Sequence, residues 1–218
     1  SSSDGSNLVA LESRGAVWTS TDSGVTWTQR DSSQYWYSVA SSSDGTRLVA
    51  VAYGGYIHTS TDSGVTWTQR GEQEGWYSVA SSSDGSKLVA GGTGYLYTST
   101  DFGVTWTQRA SQQGWLSVAS SSDGTKLVAV AYGGYIYTST DSGVTWTQRG
   151  SQQDWYSVAS SSDGTKLVAV GRGYIYTSTD SGETWTQRGS SRVWLSVASS
   201  SDGTKLVAAV YENGGYVY

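Results

Sequence analysis

Five aspartates recur in this chain in the same short context, and carboxylates repeated at a fixed spacing are candidates for metal or ligand binding. The context is the octet STDSGVTW, found at residues 20–27, 60–67, 99–106, 139–146 and 178–185, with one substitution each in the third and fifth copies. Its aspartates are Asp22, Asp62, Asp101, Asp141 and Asp180. No octet supplies a second carboxylate at the spacing of a calcium-binding loop. We therefore predict no metal site. Each Asp is instead expected to be buried and to accept hydrogen bonds from backbone amides of its own turn.

Aromatic and amide side chains form the second set of candidates, because aromatic faces stack on the CH-rich faces of sugars and amides pair with sugar hydroxyls. The candidate ligand-binding residues are Trp36, Trp76, Trp115, Trp155, Tyr53, Tyr132, Gln113 and Gln152. For the four tryptophans the alternative is packing in the core, since they recur without variation. The two tyrosines lie in segments that vary between the copies.

Two functions fit this pattern. One is a non-catalytic, lectin-like module in which several weak and equivalent sites act together on a glycan. The other is a structural scaffold without a ligand, whether designed or recently amplified. Zero Pro and zero Met in 218 residues are consistent with copying one unit that lacked both.

The residues that enzymes use are present but not arranged for catalysis. Five arginines close the segment TQR at equivalent positions, and the single His58 replaces an aromatic residue of the other copies. Glu72 and Glu74 share one short segment, and nothing places a second group opposite them at the separation that glycosidases need. We predict that the chain is not an enzyme and uses no cofactor.

Composition limits the partners further. The net charge of −5 and a pI near 4.7 argue against a nucleic-acid backbone, which requires a basic surface. No apolar run approaches 18 residues, so no transmembrane segment is expected. The chain lacks Cys and begins without Met, so we expect no disulfides and a processed or trimmed chain without a signal peptide.

Short β-strands must position these candidates. The octet aspartates follow one another at steps of 40, 39, 40 and 39 residues, which indicates a repeat architecture. In residues 155–188 the strands are A (WYSVAS), B (KLVAV), C (YIYTS) and D (TWTQR), and Asp-Gly supplies the turn between A and B. The chain is therefore predicted to be an all-β protein, a β-propeller of four-stranded antiparallel blades of about 40 residues each.

The direction of the strands divides the connections between two faces. The A–B and C–D turns are expected on one face, where the copies hardly differ. The B–C and D–A loops are expected on the other face, where the copies vary. Tolerance of change and tuning of a binding surface both explain variation confined to one face.

The octet resembles the Asp-box, or BNR repeat, of sialidase-like β-propellers, whose pattern is S-x-D-x-G-x-T-W. Five matches in register extend over nearly the whole chain. The resemblance implies a propeller in which the octet forms the C–D turn, supports the fold and lies remote from any active site. A sialidase would also need an arginine cluster that holds a carboxylate, a Tyr–Glu nucleophile pair and an acidic proton donor. The arginines of the TQR segments do not resemble such a cluster.

Strand counting gives five A, six B, six C and five D strands in one domain, residues 1–218. We expect six blade positions: an incomplete blade 1–30, blades 36–70, 76–109, 115–149 and 155–188, and an incomplete blade 194–218. A five-bladed ring with surplus strands is the alternative. Because the terminal strands are nearly identical in sequence, we expect either a strained closure between the termini or strand exchange between chains, which would give a homo-oligomer. These six segments are called repeats 1 to 6 below.

Overall fold

The computed structural model describes residues 1–30, 34–211 and 217, and every regular element in them is a β-strand. The strands are β1 (Leu8–Leu11), β2 (Val17–Ser20), β3 (Thr28–Gln29), β4 (Trp36–Ser41), β5 (Leu48–Ser60), β6 (Thr68–Ser81), β7 (Leu88–Gly92), β8 (Leu96–Ser99), β9 (Thr107–Arg109), β10 (Trp115–Ser120), β11 (Leu127–Ala131), β12 (Gly134–Ser139), β13 (Thr147–Gln153), β14 (Trp155–Ser160), β15 (Leu167–Ser178), β16 (Thr186–Ser199) and β17 (Leu206–Val210). In these described parts of the chain, no helix is long and apolar enough to cross a membrane. The predicted all-β character is confirmed.

The strands pair in chain order into four antiparallel sheets. β1–β3 form a three-stranded sheet, β4–β9 a six-stranded sheet, and β10–β13 and β14–β17 two four-stranded sheets. The prediction of six blade positions with four strands each is therefore wrong, and so is its five-bladed alternative. Strand segments were identified correctly in the described residues, but their grouping into sheets was not; the strand C expected at residues 215–218 of repeat 6 lies largely outside the described residues.

The grouping failed because segments predicted as loops remain extended and paired. β5 joins the predicted strands B and C of repeat 2, since Tyr53 pairs with Gly75 and Gly55 with Glu74 across the connection. β6 joins strand D of repeat 2 to strand A of repeat 3, and pairs with β5 through its first part and with β7 through its second. Two repeats thereby share one six-stranded sheet.

Strand A carries the same irregularity in every described repeat. Trp36 pairs with Ala52 and Ser38 with Val51, so the residue between Trp36 and Ser38 has no partner of its own. Such a β-bulge re-aims the side chain of the extra residue. The register also shifts after Trp76, Trp115, Trp155 and Trp194.

The core consists of five apolar clusters, each built by two consecutive repeats. Between repeats 2 and 3, for example, Val49 and Val51 of β5 pack with Trp76, Leu88 and Tyr97 of the next repeat. The other clusters combine the equivalent residues of the other neighbouring repeats. Each repeat therefore buries its apolar surface against its neighbours in the chain, as repeat proteins do.

A line of backbone hydrogen bonds joins the A–B turns. The amide of Ser3 donates to the carbonyl of Ser43 at 2.7 Å, and four further bonds of 2.7 Å continue from Ser43 to Ser83, Ser122, Ser162 and Ser201. Serines of these turns line an opening of about 240 Å³. The octet turns lie on the same face, because the amide of Ser142 donates to the carbonyl of Thr125 in the A–B turn of its own repeat.

Candidate functional site

The octet turns are closed by their aspartates, serines and threonines. In repeat 2, Asp62 accepts hydrogen bonds from the amide of Thr66 at 2.9 Å, from its hydroxyl at 2.7 Å, and from the hydroxyl of Ser60 at 2.8 Å. The Ser60 hydroxyl in turn accepts the amide of Gly64 at 2.9 Å. Equivalent bonds surround Asp22, Asp101, Asp141 and Asp180. The predicted bonds to the turn's own backbone are therefore present.

The expected burial of these aspartates is wrong. Asp22, Asp62 and Asp141 are exposed, and Asp101 and Asp180 are half-buried. The reason is that the turn folds its hydrogen-bonding groups outwards and places the serine beneath them, so that Ser60 is buried instead. The octet tryptophans lie at the edge of the core: Trp67 is half-buried, packs against the apolar cluster between repeats 1 and 2, and donates its indole N–H to the carbonyl of Gly64 at 3.0 Å.

Hydrogen bonding keeps the octet carboxyls ionised. The hydroxyl and then the amide of Thr26 lower the pKa of Asp22 to about 2, and Thr184 acts in the same way to lower the pKa of Asp180 to about 2. Within the described residues, no three His, Asp or Glu side chains gather in a group that could hold a metal ion. The carboxylates are therefore occupied by their own turns.

The B–C and D–A loops meet on the opposite face, as predicted. Gln152 of the D–A loop donates to the carbonyl of Gly133 in the B–C loop at 2.7 Å, and Gln73 donates to Gly54 in the same way at 2.6 Å. Gln113, the second candidate amide, donates to the hydroxyl of Tyr137 at 2.7 Å. These glutamines hold the loops in place.

Tyrosines gather beside these loops in two clusters, each of which combines exposed and half-buried rings. The first tyrosine cluster comprises Tyr37, Tyr53 and Tyr77, with ring centroids 5.4 to 5.8 Å apart and Tyr53 stacked on Tyr77 at an interplanar angle of 28°. Tyr37 is 56% and Tyr53 46% exposed. Burial, and then the neighbouring Tyr53 and Tyr37, raise the pKa of Tyr77, so its hydroxyl stays protonated.

The second tyrosine cluster is a pair. Tyr132, 57% exposed, stacks on Tyr156 of the next repeat with centroids 6.1 Å apart and an interplanar angle of 26°. Residue 116, which corresponds to Tyr37, is a leucine, and this explains why the third ring is missing.

Three members of these clusters were not among the predicted residues. Tyr37, Tyr77 and Tyr156 each follow the tryptophan of strand A and occupy the β-bulge described above. The sequence carried a signal, since period-two alternation places the residue after a buried Trp on the opposite side of the strand. The bulge makes that position still more accessible.

The candidate tryptophans lie elsewhere. Trp36, Trp76, Trp115 and Trp155 are each at most 2% exposed, and each packs edge-to-face with the strand C aromatic ring of its own repeat. For Trp36 that ring is His58, which is itself buried and approaches the amide of Gln34 at 3.1 Å. The structure thus brings Tyr53 and Tyr132 to the surface beside their loops and keeps the four tryptophans inside.

The arginines of the TQR segments do not converge. Arg70 donates to the hydroxyl of Thr59 at 3.3 Å, and Arg149 donates to Thr138 at 3.3 Å, each within its own repeat. Arg30, Arg109 and Arg188 make the equivalent bond. Each guanidinium is thus fixed beside strand C of its own repeat.

Consecutive antiparallel sheets, cores shared between neighbouring repeats and a serine-lined opening where the A–B turns meet define a β-propeller. No protein-family model and no curated protein matches the chain. The class therefore comes from the architecture and from solved structures.

Three solved β-propellers are similar to the chain. An ancestral GH74 enzyme aligns with a TM-score of 0.76 and 16% identity over 97% of this chain and 36% of that one. YCF48 from Cyanidioschyzon merolae aligns with a TM-score of 0.69 and 16% identity over 97% and 78%. Chaetomium thermophilum Sqt1, bound to the N-terminus of the ribosomal protein L10, aligns with a TM-score of 0.72 and 19% identity over 95% and 66%. The chain thus spans little more than a third of the GH74 enzyme, and at these identities the likeness establishes the fold alone.

Proposed function

We propose that this chain is a non-catalytic, lectin-like binding propeller that takes glycans on its two tyrosine clusters. The observation that carries the proposal is the first tyrosine cluster, in which Tyr37 and Tyr53 expose about half of their surface while contacting one another. Large aromatic groups left exposed together on a protein surface are typical of interaction sites. The proposal uses the predicted Tyr53 and Tyr132 and adds the three tyrosines of strand A.

The surroundings of the clusters favour a neutral, hydroxyl-rich ligand. Stacked rings offer flat apolar faces with phenol hydroxyls at their edges, which suits the alternation of CH and OH groups on a sugar. Gln152 and Gln73 hold the loops that carry Tyr132 and Tyr53, because each bonds to the glycine that follows its tyrosine. We assign the glutamines a positioning role and the four buried tryptophans a packing role.

The two tyrosine clusters are expected to bind one glycan together. Tyr53 and Tyr132 occupy equivalent positions in repeats 2 and 4, whereas repeats 3 and 5 carry Thr93 and Arg172 there. Linked weak sites gain apparent affinity when one ligand reaches both. A branched or repeating glycan is therefore the expected partner.

Several observations support the absence of catalysis. The five TQR arginines each bond to a threonine of their own repeat, so they do not form a group that could hold a substrate carboxylate. His58 is buried against Trp36. Among the similar structures, an enzyme and a protein bound to a ribosomal protein share the fold, so the fold does not decide between the classes.

Binding is tested by screening the chain on a glycan array and then titrating a retained sugar while tryptophan fluorescence is recorded. Tyr132→Ala and Tyr53→Ala should each weaken binding several-fold, and Gln152→Ala less. Tyr35→Ala is the matched control, since Tyr35 is equally exposed but lies under Arg14, outside both clusters. If the protein binds no sugar on a broad array, the lectin-like proposal is wrong, and the chain is a structural scaffold without a glycan ligand.

The octets are proposed to be Asp-boxes of the sialidase-like kind. Their support is the shared pattern, their position in the C–D turn and the recurrent bonds from Ser and Thr to each aspartate. On this proposal they stabilise the fold and take no part in binding.

We also propose a single domain that associates by strand exchange. Within the described residues, apolar clusters link each repeat to the next, which supports a single domain over residues 1–218. Val207 of β17 is 44% exposed, whereas Val168, at the same position of repeat 5, is 1% exposed. A second copy of the chain would cover this apolar side with a repeat of the same sequence.

A further inference from the structure

A cavity between repeats 2 and 3 differs in chemistry from the tyrosine clusters. It has a volume of about 270 Å³, just below the size at which pockets for drug-sized ligands begin. Its lining residues are Ile57, Gly71, Glu72, Trp76, Tyr97, Val104 and Trp106. We call it the Glu72 cavity. A cavity of this volume fits a small chemical group at the end of a ligand rather than a whole drug-sized molecule.

Three aromatic rings, those of Trp76, Tyr97 and Trp106, line the cavity. Trp76 and Tyr97 pack edge-to-face, with centroids 5.1 Å apart and an interplanar angle of 72°, and are 1% and 7% exposed, so the cavity reaches only a small part of each ring. Trp106 packs against the same apolar cluster and is held by the bond from its indole N–H to Gly103. The third ring therefore has a fixed orientation.

Two carboxylates of one loop give the cavity its charge. Glu72 lines it, and Glu74 lies close enough to act on Tyr97: burial first, then the charges of Glu74 and Glu72, raise the pKa of that phenol. Among residues 1–30, 34–211 and 217, no Lys or Arg forms an ion pair with either carboxylate. Two negative charges thus stand beside three rings.

This combination distinguishes the boundary between repeats 2 and 3 from the two boundaries that follow it. The residues at the positions of Glu72 and Glu74 are Ser111 and Gln113 between repeats 3 and 4, and Ser151 and Gln153 between repeats 4 and 5. The aromatic positions of the wall are retained in those repeats. The fold therefore does not require the carboxylates, and their presence needs another explanation.

We propose that the Glu72 cavity binds a methylated ammonium group. Aromatic faces attract a cation through their quadrupoles, and cages of such rings recognise quaternary ammonium ligands. The methyl groups contact the rings, and the two carboxylates balance the charge without having to donate or accept hydrogen bonds. A primary ammonium fits less well, because its three N–H groups would face rings on most sides.

The carboxylates also select among methylated ammonium compounds. Choline and the side chain of trimethyl-lysine carry no anionic group beside the cation. Phosphocholine and glycine betaine do, and the anion would meet Glu72 and Glu74. We expect both to bind more weakly than choline.

Calorimetric titration of the full chain with choline and with 3,3-dimethylbutan-1-ol tests the proposal, because the alcohol has the same shape and no charge. Choline should bind roughly tenfold more tightly than the alcohol. Titration with trimethyl-lysine amide distinguishes the source of the group: tighter binding than choline indicates a modified peptide, and weaker binding a free cation.

The matched variant is Glu72→Ser with Glu74→Gln. It installs the residues found between repeats 3 and 4, and it should leave the melting temperature unchanged. It should lose most of the preference for choline over the alcohol. Tyr53→Ala should leave choline binding unaffected, which separates this site from the proposed glycan site. Equal affinity for choline and the alcohol, equal choline binding by the double variant, or no choline binding in the high millimolar range would each overturn the proposal.

Discussion

Substituting Gly143 by Ala tests whether the octet turns are tied to the preceding repeat. Gly143 has a φ of +82°, and a Cβ at this position would lie 2.5 Å from Thr98 Cγ2 of repeat 3 and 3.1 Å from Leu127 Cδ1. The left-handed conformation costs an L-residue about 1–2 kcal/mol. Forcing an extra methyl group into a packed contact costs about 1–3 kcal/mol more. We therefore expect Gly143→Ala to lower the free energy of unfolding by about 2–5 kcal/mol.

Two controls separate the packing effect from the backbone effect. Gly24 has the same place in the first octet and a φ of +88°, but the nearest atom to a Cβ there is Leu8 Cδ1 at 3.3 Å. Gly133 lies in the same repeat as Gly143, with a φ of +65°, and a Cβ there would approach nothing closer than 4.0 Å. Gly133→Ala should show the backbone cost only, about 1–2 kcal/mol, and Gly24→Ala slightly more, since the Leu8 methyl group must shift by a small distance.

The assay is urea and thermal unfolding followed by tryptophan fluorescence. At about 2–4 °C per kcal/mol for a chain of this size, Gly143→Ala should melt several degrees below both controls. Gly182→Ala should behave like Gly143→Ala, since its Cβ would also meet a threonine methyl group, that of Thr138, at 2.5 Å. If all four variants melt together, the contact between octet turn and preceding repeat contributes nothing and the reasoning is refuted.

Three further results are expected. Asp62→Ala should lower the free energy of unfolding in urea by about 1–2 kcal/mol, near the lower end of the usual range, because the exposed Thr66 donors can bind water instead. Asp62→Asn should lose less stability than Asp62→Ala, and an unchanged unfolding midpoint in Asp62→Ala would contradict the structural role. Hydrogen bonds from Ser and Thr lower the pKa of Asp22 in the first octet, and of Asp44 and Asp84 in the A–B turns, to about 2 from an ordinary 3.8. The stability that these carboxylates contribute is therefore complete above pH 3.8 and is lost as the pH falls towards 2. A free energy of unfolding that does not change across that pH range would disprove it. Light scattering should show a mass that rises with concentration and responds to deletion of residues 200–218, and a constant monomer mass in both cases would exclude strand exchange.

The parts of the fold predictable from the sequence are those decided within one repeat. Strand A at Trp115–Ser120 and Trp155–Ser160 has the predicted bounds, because a β-branched and aromatic run is closed by an Asp-Gly turn. The bonds within the octet also followed from local chemistry. The sheet grouping did not, since it depends on whether Gly55 pairs with Glu74 across two loops, and no local preference encodes that pairing.

The candidate site was predictable in part for the same reason. Tyr53 and Tyr132 were predicted because they lie in loops that vary between the repeats, whereas Tyr37 and Tyr77 were not predicted because they lie in a strand that the repeats share. Arg47 and Phe102 show the limit more clearly. Each departs from the residue of the other repeats, and they lie 55 positions apart, yet the guanidinium of Arg47 stands 3.5 Å above the ring of Phe102. Only the packing of repeat 2 on repeat 3 brings the two exceptions together.

The line of bonds between the A–B turns has a consequence for how this propeller can change. Each bond joins an amide of one turn to a carbonyl of the next, as from Ser43 to Ser83, so no serine side chain takes part in it. Proline alone is excluded at these positions, because it lacks the amide hydrogen. The side chain at Ser43 and at the equivalent serines can therefore change while the bonds between repeats stay intact. These positions are therefore the places at the opening where selection or design can install new side chains without breaking the bonds between repeats.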